Sequence, residues 1–167
     1  GYVADVAGHG VASALVSTLI KGLFDEALRN PAVSSLPEVA NTVHRRFREL
    51  IPDPELYASG FLFRLDPATR LFQGLNCGHP MPLLQTMEGE PVAEGLPDLG
   101  GMPLGMTFGL EGDPYRPEDE IRVQLPDGAV LTVFTDGLIE ARGPDGEEAG
   151  VERLARMCGD SSGPARV

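Results

Sequence analysis

Two neighbouring rows of apolar residues, each repeating every fourth position, follow a glycine-flanked histidine near the start of the chain. Val11, Leu15, Leu19, Leu23 and Ala27 form one row, and Ala12, Val16, Ile20, Phe24 and Leu28 form the other. Together they give a wide apolar face, which predicts a largely buried helix from about His9 to Arg29. Asn30-Pro31 ends it. Before it, Gly1 to Asp5 is short and apolar and ends in a carboxylate, as the tail of a strand would.

A second helix is expected from Ser35. Its spacing to Glu38 fits a capping box, and Pro37 falls in the first turn. Val39, Val43, Phe47 and Leu50 make a narrower apolar stripe. His44, Arg45, Arg46 and Arg48 fall mostly off that stripe and read as a solvated basic face.

From Tyr57 the period shortens towards two. Tyr57 to Leu65 and Leu71 to Asn76 flank an Asp66-Pro67-Ala68-Thr69-Arg70 turn signal, so they read as a hairpin. Gly78-His79-Pro80 follows, with His79 expected to organise a turn before a short strand near Pro82 to Thr86. Residues 86 to 120 hold nine acidic side chains and one basic one, Arg116, amid dense Gly and Pro. They are expected to form a long loop or several short pieces, and a flap by the substrate entrance is a separate expectation for them. Strands are expected at Asp119 to Leu125 and Ala129 to Thr135, and a helix at about Val151 to Met157.

Composition narrows the function classes. Lys and Arg total 13 against 25 Asp and Glu, a net charge of −12. Nucleic-acid binding needs a basic face that displaces counterions from phosphates, and an anionic membrane also selects for cations. Neither partner is therefore expected. The two cysteines, Cys77 and Cys158, cannot build a disulfide framework or a C-x-x-C zinc site. With no apolar run of spanning length and no basic leader, a cytoplasmic setting is expected.

Two places share a design in which an apolar β-run ends in an Asp that enters a Gly-containing turn. They are Tyr2-Val3-Ala4-Asp5-Val6-Ala7-Gly8-His9-Gly10 and Val133-Phe134-Thr135-Asp136-Gly137. A carboxylate at the mouth of a buried strand is partly desolvated and favours protonation unless a cation stands opposite. Mg²⁺ or Mn²⁺ is such a cation, since both prefer carboxylate, carbonyl and water oxygens. Each Asp taken alone is also an ordinary turn or cap residue.

The whole set of motifs resembles the SpoIIE-type branch of the metal-dependent PPM phosphatases, relatives of the type 2C serine/threonine phosphatases. In order they are D-V-A-G-H-G, N-C-G-H-P-M-P-L-L, M-P-L-G, F-T-D-G-L-I-E-A-R and G-V-E-R-L. The resemblance implies an α/β fold, a β-sandwich of mainly antiparallel strands flanked by helices. It further implies a partial domain over residues 1–167, without the N-terminal strands and the C-terminal strand that carry further acidic ligands. Asp5 is implied as the carboxylate bridging two Mn²⁺ or Mg²⁺ ions, the Val6 carbonyl as the next ligand, and Asp136 as a ligand to one ion. The nucleophile implied is metal-activated water. The implied substrate is phosphoserine or phosphothreonine on a bacterial regulatory protein of the anti-anti-sigma, STAS-like kind.

His9 does not align with the histidine of type 2C phosphatases, which lies two residues after the bridging Asp, where this chain has Ala7. A cap or hydrogen-bonding role at the helix start is expected for it instead. Thr135 is expected to lie near the site. Two alternatives stay open: a catalytically inert phosphatase-fold module that binds a signalling partner, and an acidic α/β domain whose Asp residues are merely structural.

Overall fold

The computed structural model describes residues 1–86, 94–96, 100–107, 109, 112–144 and 146–160. Seven strands and four helices are laid down among them in the order β1 Tyr2–Val6, α1 Val11–Arg29, α2 Leu36–Leu50, β2 Ala58–Asp66, β3 Leu71–Cys77, β4 Leu83–Gln85, β5 Glu94–Gly95, β6 Glu120–Gln124, β7 Val130–Thr132, α3 Asp136–Ile139 and α4 Gly150–Asp160. The strands form two sheets, β1-β2-β3-β6 and β5-β4-β7. Every pairing between these strands is antiparallel.

Strand alternation explains the layering. Successive side chains on a strand point to opposite faces. On β2, Leu62 packs with α1 and α2, through Phe24, Val39 and Val43 among others, whereas its neighbour Phe61 packs with Phe72 and Ile121. That second cluster also takes in Leu84 and Leu131 from the other sheet, so the two sheets face each other across it. On β4, Leu83 points the other way and joins Phe134 and Leu154, which brings α4 onto the outer face of the second sheet. The result is the expected sandwich with helices outside both sheets.

The capping box forms as read: Glu38 N–H donates to Ser35 Oγ at 3.3 Å, and Ser35 N–H donates to Glu38 Oε2 at 3.0 Å. Helix α1 departs from its reading. It begins at Val11, and Val16, Ile20, Leu23, Phe24 and Ala27 are buried, but Val11 is 78% and Leu15 67% exposed. The cause is geometric. A row at every fourth residue advances about 40° round the helix per step, because each residue turns about 100°. The first row therefore starts in solvent and winds into the core, and the second passes through the core and leaves it at Leu28.

His44 is also a correction. It is 3% exposed, not on a solvated face. Its Nδ1 accepts the Gly105 N–H at 3.3 Å, and its ring meets Tyr115 edge-on. Arg45 and Arg46 do lie at the surface, paired with Asp113 and Glu49.

The acidic Gly/Pro-rich segment is fastened to the core at Leu104 and Tyr115. Leu104 is fully buried and exchanges two backbone hydrogen bonds with Ala58, at 2.8 and 3.0 Å. Asn41 on α2 holds both backbone groups of Tyr115. At these two points the segment is not the mobile flap expected from the sequence. Glu88, Glu90, Asp98 and Glu111 lie outside the described residues.

Candidate metal and phosphate site

Val6 belongs to the cluster beneath the helices, and Tyr2 and Ala4 pack against it. Alternation therefore aims Asp5 the other way, towards the second sheet. Asp5 lies opposite Ser59 in the β1–β2 register. From the second sheet, the chain leaves β7, buries Phe134 beside Leu83 and Leu154, and starts α3 at Asp136. The Asp136 carboxyl then stands within hydrogen-bonding reach of Asp5. Residues near opposite ends of the sequence thus meet where the two sheets come together.

They line an open cleft of about 360 Å³ with Val6, Ala7, Tyr57 and Ser59. Desolvation raises the Asp5 pKa above the ordinary carboxylate value, and the Asp136 carboxyl raises it further. The Val6 N–H and the nearby His79 pull it down, less strongly. Paired carboxylates in which one resists ionisation are what a cation relieves.

The donor set fits a hard divalent ion of the Mg²⁺ or Mn²⁺ kind, which is often held by one or two carboxylates and keeps several waters. Among the described residues no group of three or more His, Cys, Asp or Glu gathers here. The fit therefore rests on two carboxylates and on backbone oxygen from the turn that begins at Val6.

His79 does more than organise a turn. Its N–H donates to Asn76 Oδ1 at 2.7 Å, its Nδ1 lies 2.8 Å from Ser59 Oγ, and its Nε2 lies 2.9 Å from the Phe134 carbonyl. Ser59 and Tyr57 were not singled out by the sequence, because nothing local marks them. Only their register beside β1 brings them to the cleft. The Gly-His-Pro string was the one available signal for the His79 bridge.

His9 is exposed, and the cap of α1 is Gly10, with no side-chain capping bond. The expected capping role is therefore not filled by His9. Gly10 has φ +92°, a left-handed conformation that favours glycine at the turn from site to helix. Thr135 sits at the cap position of α3, and its side chain makes no capping bond either. Cys77 is buried in the core and forms no disulfide; burial pushes its thiol up to about 12, far from a nucleophile's range.

The family profile of Stage II sporulation protein E (SpoIIE) matches residues 2–166. No curated protein sequence matches significantly. Among solved structures, the RsbU and RsbW domains of a Mycobacterium tuberculosis protein are similar at 27% identity and a TM-score of 0.74, over 96% of this chain and 41% of that one. The SiaA-PP2C domain of Pseudomonas aeruginosa is similar at 25% identity and a TM-score of 0.74, over 95% of this chain and 59% of that one. The PP2C phosphatase domain of the cell fate determinant SpoIIE from Bacillus subtilis shares the fold, with 19% identity, a TM-score of 0.67 and coverage of 93% of this chain and 42% of that one. The chain thus spans less than two thirds of the length of each of these three.

Proposed function

Because the chain belongs to the SpoIIE family of PPM-type phosphatases, we propose that it carries the site of a metal-dependent protein phosphatase. The reaction is hydrolysis of phosphoserine or phosphothreonine on a regulatory protein, of which an anti-anti-sigma, STAS-like factor is the specific form. The observation that carries the reading is the convergence of Asp5 and Asp136 on one open cleft.

Two carboxylates repel a phosphate dianion, so the cleft suits a phosphoryl group only with a cation between them. Mn²⁺ or Mg²⁺, when bound, would supply an acidified water and would neutralise charge on the phosphoryl oxygens. Asp5 would bridge a pair of ions, Asp136 would hold one of them, and the Val6 carbonyl would be the next ligand. A cation held there would offset the desolvation and the Asp136 charge that raise the proton affinity of Asp5. The Val6 N–H stays on the Asp5 carboxylate and orients it. The openness of the cleft leaves room for a phosphorylated side chain presented by another protein, in the cytoplasmic setting expected from the sequence.

The test is manganese-dependent phosphate release from a phosphoserine peptide by the protein. EDTA and Asp5→Asn should each abolish it. Activity that survives either one overturns the reading. The second reading, an inert module that docks a partner, draws on the two-carboxylate donor set among the described residues. It predicts partner binding without turnover and no measurable uptake of manganese.

A further inference from the structure

Asp5 and Asp136 are useful to a metal only at a fixed separation, because Mg²⁺ demands near-ideal octahedral geometry and Mn²⁺ takes the same oxygen donors. They hang from different sheets, and ionised together they repel. Something must hold the sheets in register at this end.

The His79 ring lies between the two. The Phe134 carbonyl can only accept, so Nε2 carries the proton and donates to it at 2.9 Å. The ring is 4% exposed, and burial favours the neutral form. In the neutral ring Nδ1 is then an acceptor, and the Ser59 hydroxyl donates to it at 2.8 Å. Ser59 is the residue opposite Asp5, and Phe134 lies two positions before Asp136. One face of the clamp therefore grips the strand beside the first carboxylate, and the other grips the segment that carries the second.

The backbone that carries the ring is also held. Asn76 Oδ1 accepts the His79 backbone N–H at 2.7 Å. Gly78 turns with φ +72°, and a Cβ there would press on Pro103 at 2.7 Å. The turn is thus braced against the loop that pairs with Ala58, the neighbour of Ser59.

We propose that His79, through Ser59 and the Phe134 carbonyl, is a positioning residue that sets the spacing of Asp5 and Asp136 and so the metal affinity of the site. The inference rests on the metal-dependent reading above. It needs no contact between His79 and substrate or metal.

Calorimetric titration of Mn²⁺ into the protein tests it, with thermal melts run alongside. His79→Gln keeps a donor long enough to reach the Phe134 carbonyl but loses the acceptor for Ser59. His79→Asn keeps a short acceptor for Ser59 but no longer reaches Phe134. Both should weaken manganese binding about 10–100-fold while the protein still melts cooperatively, as loss of an orienting partner outside the ligand shell typically does. Ser59→Ala should weaken it several-fold alone and add nothing in the His79→Gln background.

A purely structural role would lower the melting temperature and leave the affinity of the folded protein unchanged. A folded His79 variant that binds manganese as wild type does overturns the proposal. If both His79 variants fail to fold, Ser59→Ala decides it: unchanged affinity overturns the proposal and several-fold loss supports it. Wild-type protein that takes up no manganese is a different result, which overturns the metal reading and this inference with it.

Discussion

The carboxyl of Asp136 stands within hydrogen-bonding reach of Asp5 and makes Asp5 harder to ionise. A group whose pKa is raised by folding supports the fold most fully below its unfolded value, and that support is lost as pH rises through the folded value. In metal-free protein, then, the ionised Asp5 is a liability at neutral pH. Asp5→Asn is expected to raise the melting temperature of metal-free protein at pH 7 and to flatten its dependence on pH in the acid range. Added manganese at about 100 times its dissociation constant should stabilise wild type by about 2.7 kcal/mol, and Asp5→Asn not at all. Differential scanning calorimetry with and without EDTA reads both effects. A metal-free Asp5→Asn protein that melts below wild type would refute the first.

His44 gives a pH dependence of the opposite kind. Burial lowers its pKa, helped by the Arg48 and Arg45 charges and opposed by Asp113. Its Nδ1 must be unprotonated to accept the Gly105 N–H. The stabilisation is therefore complete above the unfolded value of about 6.5 and is lost as pH falls towards the folded value. His44→Asn, which keeps a short acceptor without a titrating ring, should reduce the loss of stability between pH 7 and pH 5 in urea melts. Part of the slope should remain, because burial lowers the His79 pKa too.

Asn41 fastens the loop to α2 by mimicking a strand partner. Its Nδ2 donates to the Tyr115 carbonyl at 2.7 Å, and its Oδ1 accepts the Tyr115 N–H at 3.1 Å. Asn41→Ala strands two buried backbone groups and is expected to cost about 1–3 kcal/mol for each that finds no water. Tyr115→Phe leaves that clamp intact and removes the hydroxyl, which donates to the Met102 carbonyl at 2.6 Å and also meets the buried Cys77 thiol; it should cost about 1 kcal/mol. Chemical denaturation of both variants checks the order. Equal losses would mean that the amide clamp is not the stronger fastening.

Two glycines should respond in opposite directions. A Cβ on Gly101 would run into the Asn76 carbonyl and crowd the Gly78 nitrogen at 3.1 Å. Gly101→Ala is expected to destabilise by about 1–3 kcal/mol or more, as overpacking does, and to disturb the turn that carries His79. Gly22 lies inside α1 with open space around it, so Gly22→Ala should stabilise by about 0.5–1 kcal/mol. Melting temperatures of the two variants measured side by side are sufficient.

Local chemistry made much of this protein legible from its sequence. The capping box at Ser35 and Glu38, the hairpin about Asp66-Pro67 and the strand-then-Asp pattern each depend on a few adjacent residues and a fixed backbone period. The ordered motifs then implied the family, which the profile match over residues 2–166 bears out. Tertiary structure decided what depends on neighbours distant along the chain. Leu15 is apolar and lies in solvent because a four-residue row winds round a helix faster than its buried face does. His44 looks like surface and is buried because Tyr115 and Gly105 arrive to cover it. The same holds at the site: each Asp announced itself beside its glycine turn. That Asp5 faces Asp136 with His79 spanning Ser59 and Phe134 follows from the packing of two sheets, whose relative placement no local period encodes.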